Sequence, residues 1–185
     1  MPRPALPLPV RLLNTAFAAL GRTGPRLLPL GPEGLMDAAA RTAGLDDFGS
    51  PYFREPLARL CDSLERDARL TALGRMIARQ DILRLLGNRL RWVDIFRRHP
   101  EIGAGRVVAP VFILGMPRTG TTSMHELLAL DPQFRVPLSW EVAHPFPPPE
   151  TASYRSDPRI AQVDAELARV DRLLPEFRNM HPMGA

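Results

Sequence analysis

The sequence predicts an α/β fold in which a strand, a glycine-rich loop and a helix begin a parallel sheet, preceded by a mainly helical N-terminal region. Three observations predict it: β-branched and aromatic residues at 107–114, a glycine at each end of the loop that follows, and two helical patterns before residue 100. A run that is apolar on both faces is typical of a strand buried in a parallel sheet. Only one further short strand is predicted, so we expect the sheet to be incomplete in this chain.

The first part of the chain divides by composition and periodicity. Proline accounts for 21 of the 185 residues, and residues 1–45 are predicted to be a proline-rich, partly disordered segment with a short helix near residues 35–42. Residues 46–103 are predicted to form a helical cap region. Apolar side chains recur there at every third or fourth position in two stretches, 57–68 and 83–93, which is the spacing of one helix face.

Residues 104–185 are predicted to form the N-terminal part of an α/β domain. A helix is expected from about residue 120 to 130, and residues 134–136 indicate a second short strand. The last helix is predicted to begin at Asp157 and Pro158, a favourable N-cap and first-turn pair.

Arginine supplies all 24 basic residues, and the chain has no lysine. This excludes a Schiff-base lysine, a lysine general base and the lysine of the standard nucleotide P-loop. The single cysteine, Cys61, excludes an internal disulfide and a cysteine zinc site and fits a reducing compartment. No apolar run reaches the roughly 18–20 residues of a membrane span, and no secretory signal pattern is present. A cytoplasmic protein is expected.

Seven arginines lie between residues 75 and 98, against only Asp81 and Asp94. Such a patch could bind nucleic acid or an acidic membrane surface. Only two aromatic residues, Trp92 and Phe96, lie among these charges, which favours a solvated helix face. We therefore expect no nucleic-acid partner.

The stretch from Gly115 to Thr122 carries the chemistry. Gly115, Gly120 and Thr122 match the P-loop pattern G-x-x-x-x-G-K-[ST], and Thr121 stands where that pattern has lysine. Glycines allow the backbone to approach an oxyanion closely, and the first amides of the following helix point at it. The spacing predicts a P-loop-like phosphate cradle, and the missing lysine disfavours triphosphate hydrolysis.

These residues also resemble a known family. Pro117-Arg118-Thr119-Gly120-Thr121-Thr122 is similar to the phosphosulfate-binding loop of sulfotransferases that use PAPS (3′-phosphoadenosine-5′-phosphosulfate), closest to the bacterial-type and tyrosylprotein branches. The resemblance extends over residues 45–185, with further landmarks at Trp140-Glu141 and at residues 181–184.

The resemblance implies a role for each matched position. Arg118 would stabilise charge on the bridging oxygen as the sulfuryl group leaves, and Glu141 would take the proton from the acceptor hydroxyl or amine. His144 is a competing base, and His125 lies on the loop helix. No metal is required. The residues implied to bind PAPS are those of the loop: Pro117, Arg118, Thr119, Gly120, Thr121 and Thr122.

Family members are about twice as long as this chain and bind the 3′-phosphate of PAPS with later residues. The resemblance therefore indicates the N-terminal part of a larger or split protein, or a sheet edge that another chain pairs. The sequence does not predict that this chain catalyses the reaction alone.

Two alternatives to a sulfotransferase remain open at this point. One is a P-loop nucleotide-binding protein or small-molecule kinase, and the other is a catalytically inactive helical interaction fragment. The acceptor is expected to be a small molecule, of a class that the sequence does not indicate.

Overall fold

The computed structural model describes residues 6–21, 24–116 and 119–173, and the chain divides into two compact units between Gly103 and Ala104. Helices dominate the described residues, together with one turn of 3-10 helix at Pro51–Phe53. The α-helices, in chain order, are α1 (Leu8–Ala19), α2 (Gly24–Leu27), α3 (Pro32–Ala43), α4 (Arg54–Arg66), α5 (Ala72–Arg98), α6 (Pro100–Ala104), α7 (Thr121–Ala129), α8 (Ser139–Ala143) and α9 (Pro158–Leu173).

The first unit has its core between α3, α4 and α5. The Thr71 hydroxyl caps α5 by accepting a hydrogen bond from the Gly74 amide at 3.2 Å, which satisfies one of the free donors of the first turn. The two helical stretches predicted in residues 46–103 are confirmed as α4 and α5, because their regularly spaced apolar residues face this core. The buried core residues are Leu35, Met36, Ala39, Phe48, Leu57, Cys61, Ile82, Leu86 and Leu90.

Several arginines of the 75–98 stretch hold the first unit together. Arg75 is buried, donates to the Leu28 carbonyl at 2.8 Å and pairs with Glu65. Arg89 donates to the carbonyls of Phe48 and Ser50, each at 2.8 Å. These side chains fasten the loops before α3 and α4 to the long helix α5, so part of the basic patch has a structural role.

The second unit contains α7, α8 and α9, and α8 packs against α9. Trp140 of α8 is fully buried, and Val163 of α9 is also buried. The predicted start of the last helix is confirmed, because α9 begins at Pro158. Asp157 Oδ1, from the residue before Pro158, accepts a hydrogen bond at 3.0 Å from the amide of Arg159, the residue after it. The helix predicted near residues 120–130 is likewise present as α7.

The predicted α/β fold is wrong for the residues that the structure describes, because none of them forms a strand. Among the described residues no strand lies beside residues 107–114, and apart from the half-buried Ile113 the apolar side chains expected to be buried are exposed, with Val107 79% and Leu114 91% accessible. Residues 134–136 form no strand either. A strand is defined by pairing of its amides and carbonyls with a neighbour, which composition alone does not supply.

The N-terminal segment has more helix than its composition indicated. Besides α3, which agrees with the helix predicted near residues 35–42, it contains α1 and α2. Proline stands at or next to the first position of α1 and α3, where a missing amide hydrogen costs nothing. Within the described ranges, no helix combines the length and the apolar character that crossing a membrane requires.

Candidate functional site: a glycine loop and a hydrogen-bonded carboxylate

Gly115 and Gly120 shape the loop for different physical reasons. A Cβ on Gly115 would lie 2.6 Å from Thr119 Oγ1 and 2.8 Å from Thr121 Cγ2, closer than real Cβ atoms approach other atoms. Gly120 has φ +88°, the left-handed region that favours glycine, at the N-cap of α7. The loop thus folds tightly back onto the residue that precedes it, and this requires both glycines.

The N-terminus of α7 offers the donors expected of an anion-binding loop. The amides of its first turn have no intrahelical acceptor and carry the positive end of the helix dipole, and no side chain of the described residues caps them. Thr121 is half-buried and Thr122 is exposed. The Thr119 hydroxyl donates to the Met116 carbonyl at 2.7 Å, which holds the loop closed. Pro117 and Arg118 lie outside the described residues.

The loop residues fit a phosphate group. A Cβ built on Gly120 meets no atom within 4 Å, so the space beside its backbone is open. Uncapped amides, neighbouring hydroxyls and an open approach form the donor set that holds a tetrahedral oxyanion at a helix N-terminus.

Glu141 lies in the first turn of α8 with its side chain 9% exposed. Its Oε2 accepts hydrogen bonds from the Leu138 amide at 2.8 Å and from the Tyr154 hydroxyl at 2.9 Å, and its Oε1 pairs with Arg135. The bond to Leu138 is the reach-back half of a capping box. Glu141 therefore stabilises the start of α8 as well as lying at the position that the family resemblance singles out.

These contacts set the proton affinity of Glu141. Burial raises the pKa of its carboxyl, but the hydrogen bonds from Leu138, Arg135 and Tyr154, with the Arg135 charge, outweigh it and leave the pKa below its usual value. The side chain is thus ionised at neutral pH. It is a carboxylate that can accept a proton, and its basicity is held down while Arg135 stays in place.

A buried arginine supports the segment around Glu141. Arg159 pairs with Asp157, donates to the carbonyls of His144 at 2.8 Å and Pro147 at 2.5 Å, and lies 4.7 Å from the Trp140 ring centroid. The hydrogen bonds from Arg159 lower the pKa of Asp157 to about 2. One guanidinium therefore joins the start of α9 to the end of α8 and to the chain that leaves it.

His144, the competing base, is part of a different contact. Its Nε2 lies 3.1 Å from Glu166 Oε1 and 3.1 Å from the side-chain Nε2 of Gln162, both on α9. One ring nitrogen is therefore engaged by a carboxylate rather than directed to Glu141. His125 is half-buried on α7. Within the described ranges, no group of three or more histidine, cysteine or acidic side chains could hold a metal ion.

A cavity of about 510 Å³ opens beside the Glu141 contacts. Arg135 and Tyr154, the two side chains that hydrogen-bond to Glu141, both line it. The remaining lining residues are Pro149, Thr151, Ala152, Arg155 and Ser156.

The sequence alone does not indicate Arg135, Tyr154, Arg159 or this cavity as parts of the site. The only local signal was the position of Glu141, three residues after Leu138, as in a capping box. Arg135 and Tyr154 converge on Glu141 from six residues before it and thirteen residues after it, so their meeting depends on the turns between them and leaves no periodic pattern.

Comparisons with known proteins bear on this loop directly. Residues 110–185 match the model of the Sulfotransferase family. A sulfotransferase of Mycobacterium tuberculosis, solved as a crystal structure, is 32% identical over 77% of this chain, with a TM-score of 0.65. A sulfotransferase of Mycobacterium avium is 34% identical over 77% of this chain, with a TM-score of 0.68. Among curated proteins, none matches the chain.

The chain spans 40% and 36% of the lengths of these two mycobacterial proteins. The matched region of the family model contains the whole glycine loop and Glu141. Sequence identity above 30% to two solved structures is a stronger relationship than shared fold alone. The chain belongs to the sulfotransferase family, and its solved relatives are bacterial members of it.

Proposed function

We propose that this chain provides the donor-binding part of a PAPS-dependent sulfotransferase that modifies a hydroxyl or amine of a small-molecule acceptor. The observation that carries the proposal is the uncapped N-terminus of α7 directly behind the glycine loop, in a chain of this family. PAPS supplies an activated sulfuryl group on its 5′-phosphate, and the loop is suited to hold that phosphate.

The loop residues would bind the 5′-phosphate end of the donor. The first-turn amides and the hydroxyls of Thr121 and Thr122 supply hydrogen bonds, and Arg118 supplies a fixed positive charge. As the sulfuryl group leaves, the bond between sulfur and the bridging oxygen of the 5′-phosphate breaks, and negative charge grows on that oxygen. Arg118 would stabilise this charge, which lowers the barrier because the charge is larger in the transition state.

Glu141 would act at the other end of the reaction. A new bond forms between sulfur and the acceptor oxygen or nitrogen, and the acceptor proton passes to the carboxylate. A carboxylate has about four acceptor sites, and three donors from the described residues use Glu141: the Leu138 amide, the Arg135 guanidinium and the Tyr154 hydroxyl. One site remains for the acceptor proton.

The proposal assigns the chemistry to one part of the chain. Residues 104–185 contain the loop and Glu141 and would supply the chemistry, and residues 46–103 would be the helical cap region that precedes them in the sequence. The single, buried Cys61 is compatible with a reducing compartment such as the cytoplasm.

Calorimetric titration with PAP, the 3′,5′-bisphosphate product, tests the proposal. We expect PAP to bind without magnesium, and Thr121→Ala and Arg118→Ala each to weaken binding about tenfold, since hydrogen bonds to charged groups are worth 1.5–3 kcal/mol. Thr42→Ala is a matched control for the threonine, because Thr42 is exposed on α3 and donates only to the Ala38 carbonyl of its own helix.

Arg172→Ala is the matched control for the arginine, since Arg172 is exposed near the end of α9. A PAP affinity that neither loop variant changes would refute the donor-binding role. Magnesium-dependent ATP binding in place of PAP binding would instead favour a nucleotide-binding protein.

A further inference from the structure

The polar side chains that line the cavity beside Glu141 are all guanidinium groups or hydroxyls. Two guanidinium groups and three hydroxyls, from Arg135, Arg155, Thr151, Tyr154 and Ser156, face the same space, and no acidic side chain is among the lining residues. Donors of this kind are what an oxyanion needs, and only Arg135 and Tyr154 among them also donate to Glu141.

Arg155 is the group that a structural role does not explain. It is exposed, and within the described residues it makes no hydrogen bond or ion pair. The neighbouring arginines are used differently: Arg159 is buried against Asp157, and Arg135 pairs with Glu141. Arg155 thus brings an uncompensated positive charge to the cavity wall.

The hydroxyls next to Arg155 remain able to donate. Ser156 Oγ makes one long contact of 3.4 Å to the Ser153 carbonyl, which a stronger acceptor would replace. Thr151 is exposed at the opposite end of the same turn segment. The nearest carboxylate in sequence, Asp157, is held by Arg159 and does not line the cavity.

From this arrangement we propose that the cavity binds an oxyanion, a carboxylate, phosphate or sulfate, carried by the acceptor, with Arg155 as its principal charge partner. The proposal rests on the proposed sulfotransferase function and names a class for its acceptor: a hydroxyl or amine compound that already bears an anionic group.

The position of the cavity gives this binding a consequence for Glu141. Arg135 and Tyr154 both line the cavity and both donate to the Glu141 carboxylate. An oxyanion in the cavity competes for the Arg135 guanidinium, and loss of that partner makes the carboxylate a stronger proton acceptor. The acceptor would therefore be bound beside the carboxylate that receives its proton, and would itself help to activate that carboxylate.

Matched small molecules test the proposal on the full 185-residue chain. The probes are 4-hydroxyphenylacetate, its neutral amide 4-hydroxyphenylacetamide and 4-hydroxybenzylphosphonate, titrated with detection by NMR chemical shifts. We expect both anions to bind at least about fivefold more tightly than the amide, and Arg155→Gln to remove that preference. A larger preference for the phosphonate would indicate a phosphate-bearing acceptor, and a larger one for the carboxylate a carboxylate-bearing acceptor.

Arg172→Gln is the control, because it makes the same change of charge on an exposed arginine outside the cavity. Equal binding of anions and amide, absence of binding by any probe, or an unchanged preference in Arg155→Gln would each overturn the proposal. Titration of the same samples with PAP distinguishes failure of the acceptor proposal from failure of the donor-binding proposal. If PAP binds but the anions are not preferred over the amide, only the acceptor class is refuted. If PAP does not bind but the anions are still preferred over the amide, the donor-binding role is refuted instead.

Discussion

The Tyr154 hydroxyl donates a hydrogen bond to Glu141 Oε2 at 2.9 Å, and its ring lies 5.3 Å from the ring of Trp140, the residue before Glu141. One tyrosine therefore touches both the buried anchor of α8 and the carboxylate proposed as the base. The acidity of Glu141 and the packing of α8 depend on the same side chain.

Replacing Tyr154 with phenylalanine should raise the pKa of Glu141, because the ionised carboxylate loses one of three donors. Titration of the carboxyl carbon of Glu141 by NMR measures this directly. The unfolding free energy should fall by about 0.5–1.5 kcal/mol, the net value of one hydrogen bond. Tyr52→Phe is the matched control, since Tyr52 is 89% exposed. A Glu141 pKa that is the same in both variants would show that Tyr154 does not govern this carboxylate.

Trp140→Ala should destabilise the second unit by about 3–5 kcal/mol, because truncation of a buried aromatic side chain leaves a cavity. Trp140 is fully buried and contacts Arg159 and Tyr154. Amide hydrogen exchange of α8 and α9 is the suitable measurement, since it reports this unit separately from the first. Exchange that stays as slow as in the unchanged protein would contradict the packing described for α8.

Acid should weaken the second unit over a defined pH range. The pKa of Asp157 is lowered from its ordinary 3.8 to about 2 by hydrogen bonds from Arg159. A carboxyl with a lower pKa in the folded protein adds stability above its unfolded pKa and loses it as pH falls toward the folded one. The urea midpoint, measured by circular dichroism, should therefore drop between about pH 4 and pH 2.

In Asp157→Asn this drop should shrink, whereas Asp164→Asn, on the exposed side of α9, should leave it in place. Equal pH dependence in the two variants would mean that the pair of Asp157 and Arg159 does not couple folding to pH.

The two loop glycines should respond differently to alanine. Gly115→Ala introduces contacts of 2.6 and 2.8 Å to Thr119 and Thr121 and should displace both threonines. Gly120→Ala meets open space but must adopt φ +88°, at a cost of about 1–2 kcal/mol. For Gly115→Ala, the loss of PAP affinity measured by calorimetry should therefore be larger than the lower stability of this variant explains. Gly34→Ala, in open space on α3, should change neither property by much.

The helices were predictable because their signals are local. The spacing of Leu57 and Cys61 on α4, and of Leu86 and Leu90 on α5, follows one helix face, and all four are buried. The pair of Asp157 and Pro158 likewise located the start of α9. The strand at 107–114 could not be settled in this way, because its composition indicates an extended chain but a strand also requires a partner to pair with.

The parts of the candidate site also differ in whether local sequence patterns predict them. The glycine loop follows from the spacing of Gly115, Gly120 and Thr122, since a loop of this kind is closed by near neighbours. The contacts of Glu141 to Arg135 and Tyr154 depend on how residues 144–157, which join α8 to α9 and include four prolines at 145–149, fold back. No local pattern in the sequence encodes that path.

The loop of this chain is proposed to hold the 5′-phosphate of the donor. Calorimetric titrations of the full chain with adenosine 5′-phosphate and with adenosine 3′-phosphate distinguish this role from non-specific binding of a nucleotide. We predict that the 5′-phosphate compound binds with an affinity close to that of PAP, and that the 3′-phosphate compound binds at least about tenfold more weakly. Equal affinities for the two isomers, or tighter binding of the 3′-phosphate compound, would contradict the claim.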